Sequence, residues 1–127
     1  MRTINEHIIH CSDSDFGDVE IIRHWHLARG FKDIGYHFVI RQDGEIELGR
    51  PLEQMGAHCA GYNRHSVGTC LIGKSGFTPA QFEALQKLHM SLSKLFTGIR
   101  AVPHNVHNPH KTCPNFNIYN VLKEAEK

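Results

Sequence analysis

Apolar residues recur along the chain in short blocks, and their spacing alternates between that of strands and that of helices. Ile4 to His10 reads as a short strand, with Ile8 and Ile9 running into HCS. The turn-rich SDSDFGDVE follows, and Asp18 can cap a helix from Val19 to about Arg29. Val19, Ile22, Trp25 and Leu27 follow helical spacing there, and Gly30 stands where a helix C-cap belongs. YHFVI, residues 36–40, is strand-like; Asp43-Gly44 then turns the chain into a partner strand through Ile46 and Leu48. Residues 49–65 are irregular, and Ser66 to Ile72 reads as a buried strand. Thr78-Pro79 opens a helix that presents Phe82, Leu85, Leu88, Leu92 and Leu95 on one face and stops at Gly98. Ile99 to Val102 is a short strand leading into His104. Phe116 to Glu126 forms a last helix with Ile118, Val121 and Leu122 inward. The order β-α-β-β-β-α-β-α predicts an α/β fold, a central mixed β-sheet flanked by helices, in a single domain over residues 1–127.

Composition narrows the function classes. A chain of 127 residues can bury a core without disulfide staples. A formal net charge of +1 encodes no pull toward nucleic acid or an acidic membrane. Neither a long apolar run nor a basic leader with an apolar stretch is present, so no stable membrane insertion and no secretory signal are expected. The chain is expected to be made in the cytoplasm and to depend on another agent for delivery if it acts elsewhere. None of the four cysteines forms a CxxC pair. Reduced thiols are expected, with Cys59 and Cys70 buried and inert. Cys113 differs, because Lys111 and several histidines surround it.

Histidine is the outlier, at 11 residues. Three of them, His104, His107 and His110, crowd the stretch PHNVHNPHKTCPNF with Cys113. His10 ends the first strand and His104 follows the last one. Strand ends gather at one edge of an α/β sheet, so the two can meet in space. With Cys113 they would make a set of two imidazoles and one thiolate, which leaves the fourth place on a zinc ion open, as in catalytic sites. His107 and His110 lie between, and at least some of this cluster is surplus. His24 and His26 are expected in surface or packing roles. His37 points to the face opposite Tyr36 and is expected to be structural.

Seven segments, IIHCS (8–12), DIGYHFVI (33–40), DGEIELGRP (43–51), GAHCAGYN (56–63), SVGTCLIG (66–73), FTPAQ (77–81) and HNVHNPHKTCPNF (104–116), come in the order of a known family. The chain resembles the zinc-dependent N-acetylmuramoyl-L-alanine amidases, the amidase type-2 and peptidoglycan recognition protein family, and within it the phage amidase-type lysozymes. The resemblance implies one zinc ion per chain held by His10, His104 and Cys113, with catalytic roles for Tyr36 and Lys111. It places His58 beside the substrate groove. It implies a bacteriolytic hydrolase that cuts the bond between N-acetylmuramic acid and L-alanine in peptidoglycan, acting as a monomer on the cell wall after release by a holin or a secretion system. Lys111 suits stabilisation of an oxyanion. Tyr36 can orient the zinc water, and as a neutral phenol it is a poor base. The loop NVHNPH departs from the Arg-Asp-like pair and Ser/Pro segment of many members, which bears on contacts to the peptide stem. The alternative is a non-catalytic module that binds peptidoglycan or a protein; some phage relatives bind and inhibit an RNA polymerase, and that partner stays open.

Overall fold

The computed structural model describes residues 2–123. The strands are β1 (Glu6–Cys11), β2 (Phe38–Ile40), β3 (Ile46–Leu48), β4 (Ser66–Leu71) and β5 (Arg100–Pro103). The helices are α1 (Val19–Ala28), α2 (Pro79–Leu95), α3 (His104–His107) and α4 (Ile118–Lys123). Every predicted element is present, and α3 is added in the stretch read as loop. The last helix begins two residues after the expected Phe116, and the remainder of its expected span, residues 124–126, lies outside the described residues.

The local chemistry that starts the helices is as the sequence implies. Asp18 accepts a hydrogen bond from the Ile21 N–H at 2.9 Å. Thr78 and Gln81 form a reciprocal capping box at the start of α2. The α2 helix ends at Leu95 rather than Gly98. Phe96 is already extended, and Gly98, at φ +84, serves the turn into β5 instead.

The sheet order is β3-β2-β4-β1-β5. The pairs β2–β4, β4–β1 and β1–β5 are parallel, and β3 closes one edge antiparallel to β2, with Ile40 opposite Ile46. Side-chain alternation splits the core by face. Ile9, Ile40 and Leu71 pack with α2 and α4 in the larger cluster, against Leu85, Leu88, Leu92, Ile118 and Leu122. Val39, Cys70 and Ile34 pack with Val19 and Ile22 of α1 in a smaller one. Two stripe assignments change. The buried face of α1 is Val19, Ile22 and His26, while Leu27 is exposed. On α2, Gln81 and Ala84 are buried, while Leu95 projects past the sheet into solvent. Buried Gln81 is satisfied by donating to the carbonyls of Ile72 at 2.9 Å and Ile40 at 3.3 Å, which ties α2 to the strand ends.

This topology positions a site. Ile9 pairs with Pro103 across β1–β5, so His10 and His104 leave neighbouring parallel strands at the same level. Both lie at the carboxyl ends of those strands, where ligands of α/β sheets bind. Among the described residues no helix is long and apolar enough to cross a membrane.

Candidate active site

The His10 and His104 rings meet with centroids 4.3 Å apart, although ninety-odd residues separate them in sequence. His10 is buried at the end of β1. Its Nε2 lies 2.8 Å from Nδ1 of His58, which the irregular 49–65 segment carries in from the side. The Tyr36 ring is 5.0 Å from His10. Cys113 reaches the same place from the loop after α3. Its Sγ accepts a hydrogen bond from the Cys11 N–H at 3.0 Å, and the Cys11 Sγ is also 3.0 Å away.

Electrostatics sort these groups into two kinds. The hydrogen bond from Cys11 draws the Cys113 thiol below its ordinary value, against the upward push of burial and with further help from His104, while the Cys113 Sγ also lies 3.2 Å from the Cys11 carbonyl oxygen. Burial, reinforced by the neighbouring imidazoles, holds His10 and His58 well below the ordinary histidine value, so both are neutral at neutral pH. Burial pushes the Tyr36 phenol well above its usual value, and its hydrogen bond to Cys70 adds to this, so Tyr36 is a donor and not a base.

Two cavities open on this cluster. One of about 410 Å³ is lined by His26, Phe31, Ala57, His58 and Asn63. A second, of about 240 Å³, is lined by His10, Cys11, Ser12, Cys113 and Asn115. They share Arg29, Tyr36, His104 and Lys111, so those four side chains stand where the cavities join. The residues singled out from the sequence, His10, Tyr36, His58, His104, Lys111 and Cys113, are therefore brought together.

The donor types suit a soft, tetrahedral ion, since a thiolate and a neutral imidazole are the protonation states that a metal requires. Their arrangement is not that of a closed coordination set. Among the described residues no three His, Cys, Asp or Glu side chains converge as a metal-holding group. Cys113 is turned onto Cys11, and His10 Nε2 is engaged by His58, which leaves His10 Nδ1 as the nitrogen for a metal.

The rest of the histidine cluster separates by contact. His107 stacks on Tyr62, with centroids 3.6 Å apart, and its Nε2 meets Glu6 Oε1 at 2.8 Å. It thus fastens the short helix α3 to β1 and to the 49–65 segment. His110 is exposed. His37 is structural, as expected: its Nδ1 accepts from the Gly68 N–H at 3.0 Å, and its Nε2 lies 2.8 Å from Gln54 O and 2.9 Å from Arg2 Nη2. His24 is exposed, while buried His26 accepts from the Gly35 N–H at 2.8 Å and holds the turn before Tyr36. Sequence reasoning missed Cys11 as the partner of Cys113 and Arg29 at the cavity junction. The HCS triplet contained the first signal; nothing in the sequence pattern marked the second.

The family model for N-acetylmuramoyl-L-alanine amidase matches residues 1–116. The chain belongs to that family. It is 42% identical over 122 residues to an endolysin of Klebsiella phage KP32, covering 87% of this chain and 80% of that protein. It is 38% identical over 121 residues to the endolysin of Escherichia phage T7, again covering 87% of this chain and 80% of the relative. Among solved structures it is similar to the N-acetylmuramoyl-L-alanine amidase LysC from Clostridium intestinale URNW. That likeness has a TM-score of 0.92 at 28% identity and covers 98% of this chain and 87% of that one. The family read from the seven sequence segments is the family found, and the enzyme class, an amide hydrolase of the N-acetylmuramoyl-L-alanine amidase type, stands with it.

Proposed function

We propose that the chain acts as an endolysin-type enzyme that hydrolyses the amide between N-acetylmuramic acid and L-alanine in peptidoglycan, with one zinc ion held by His10, His104 and Cys113. The observation that carries the ligand assignment is the meeting of the His10 and His104 rings at 4.3 Å beside a cysteine held near its thiolate form. A zinc ion bound there supplies a Lewis acid and lowers the pKa of a water molecule toward ~7.

The side chains of the chain do the rest. Tyr36, kept protonated by burial, would turn its hydroxyl from Cys70 to donate to the oxygen on which negative charge develops. Lys111, exposed at the junction of the two cavities, brings a positive charge to the same oxygen. Arg29 stands beside it, its guanidinium 5.1 Å from the centre of the Phe31 ring, and suits the carboxylate-bearing peptide stem. The 410 Å³ cavity is roomy enough for a muramyl-peptide segment, and the 240 Å³ cavity holds the reacting end. His107, bound to Glu6 and Tyr62, lies outside the lining of both cavities and takes no part in bond breaking. The enzyme acts as a monomer on the cell wall, after release from the cell that makes it.

Elemental analysis of single variants tests the ligand set. Zinc is expected to be lost in His10→Ala, His104→Ala and Cys113→Ala and retained in His107→Ala and His110→Ala. Full occupancy in Cys113→Ala overturns the assignment.

A further inference from the structure

The His58 ring is fitted more tightly than a groove-wall residue needs to be. Its backbone is fixed first: the N–H groups of His58 and Cys59 both donate to Asn63 Oδ1 at 2.9 Å. Its ring then lies over two glycines. A Cβ at Gly68 would stand 2.5 Å from both Cδ2 and Cγ of His58 and 2.7 Å from its Nδ1. A Cβ at Gly56 would stand 2.7 Å from His58 Cδ2. Glycine at both positions leaves a slot for the imidazole. Neither glycine has a positive φ, so backbone conformation alone does not require them. In that slot both ring nitrogens have partners, His10 Nε2 at 2.8 Å on one side and Ser66 Oγ at 3.3 Å on the other.

We infer that His58 is a positioning residue for the metal ligand His10. It holds His10 as the tautomer with its proton on Nε2, so that the lone pair on Nδ1 is presented to the metal. The chain of donors runs one way. His10 Nε2–H donates to His58 Nδ1, and the proton that His58 must then carry on Nε2 is directed to the buried Ser66 hydroxyl. A histidine that binds a metal through one nitrogen donates from the other to a fixed acceptor, and loss of that acceptor typically lowers metal affinity by ~10- to 100-fold. Usually the acceptor is a carboxylate or a carbonyl. Here it is a neutral imidazole, itself oriented by a serine. This is a different task from the substrate contact expected of His58 from the sequence, and it rests on the zinc reading proposed above.

The test uses the full chain in two states. Zinc affinity is measured by competition with a chromogenic chelator, and the tautomer of His10 is read in the zinc-free protein from long-range proton–nitrogen NMR of the ring. His58→Ala is expected to lower zinc affinity by ~10- to 100-fold and to release His10 from the Nε2–H form. His58→Gln, whose amide oxygen can accept from His10 while its NH₂ donates toward Ser66, is expected to restore most of both. Ser66→Ala is expected to produce a smaller loss in the same direction. Unchanged affinity and unchanged tautomer in His58→Ala, with weakened sedimentation with peptidoglycan, would overturn the inference in favour of a substrate contact. A wild-type protein that binds no zinc would refute the metal reading itself, a result separable from the first because the tautomer is read without metal.

Discussion

Gly68→Ala is the substitution whose effect follows most directly from the packing of the site. The new methyl carbon would meet the His58 ring at 2.5 Å, about an ångström inside ordinary contact. The ring has nowhere to withdraw: Gly56 closes another side, and Nδ1 is bound to His10 at 2.8 Å. It must swing out of the slot. Overpacking of this kind costs ~1–3 kcal/mol, and the lost buried hydrogen bond adds ~0.5–1.5 kcal/mol. The sum, ~1.5–4.5 kcal/mol, corresponds to a fall in Tm of roughly 6–18 °C at about 4 °C per kcal/mol for a chain of this length. A double-mutant cycle isolates the clash between the two positions. In a His58→Ala background the obstacle is gone and the Gly68 backbone is one that alanine adopts, so Gly68→Ala should be neutral or stabilising by up to ~1 kcal/mol. Denaturant titration of the four proteins in chelator measures all the terms. Equal destabilisation by Gly68→Ala in both backgrounds would show that the clash with His58 is not its cause.

Other expectations follow from the same contacts. Tyr36→Phe and Lys111→Ala should fold and keep zinc, yet lose ~100- to 1,000-fold in hydrolysis rate; wild-type rates on purified peptidoglycan would remove both from the chemistry. The zinc-free protein should be acid-labile: burial lowers His26 and His37 from 6.5 to about 4, so each is neutral in the fold where the unfolded chain takes up a proton. That stability is present above pH ~6.5 and is lost as the pH falls toward 4, at up to ~1.4 kcal/mol per pH unit for each group, so about 4 kcal/mol should disappear between pH 7 and 5. A flat denaturation midpoint over that interval would contradict it. In zinc-free protein, Cys113 should react with iodoacetamide as a thiolate at a pH below the ordinary thiol range, and a reaction that begins only near the ordinary thiol value would show that Cys11 and His104 do not act on it as described.

Local chemistry made much of the fold readable. The Asp18 cap, the Thr78–Gln81 box and the Asp43-Gly44 turn are signals confined to a few neighbouring residues, and each produced the element it predicts. Meeting of His10 with His104 was legible too, because strand ends at one sheet edge follow from the element order alone. What the sequence hid depends on tertiary packing. His26 and Gln81 occupy core positions that an apolar stripe would assign to Leu27 or Leu95, since a polar side chain is tolerated inside once its partners, Gly35 N–H for one and two strand carbonyls for the other, are in place. His107 looked like one more loop histidine. Its stack on Tyr62 and its bond to Glu6 join three segments distant in sequence, and no spacing rule announces that. The role of His58 was hidden for the same reason, because the slot that seats it is made by the absence of side chains at Gly56 and Gly68.

The proposed activity of this cluster is cleavage of the muramyl amide with a metal that the chain holds. Mass spectrometry of purified peptidoglycan digested with the protein, with and without a zinc chelator, tests it most directly. Peptide stems with free L-alanine amino termini should be released, none in the presence of chelator, with recovery on addition of zinc. Peptidoglycan that sediments with zinc-loaded protein yet yields no new L-alanine amino termini would contradict it.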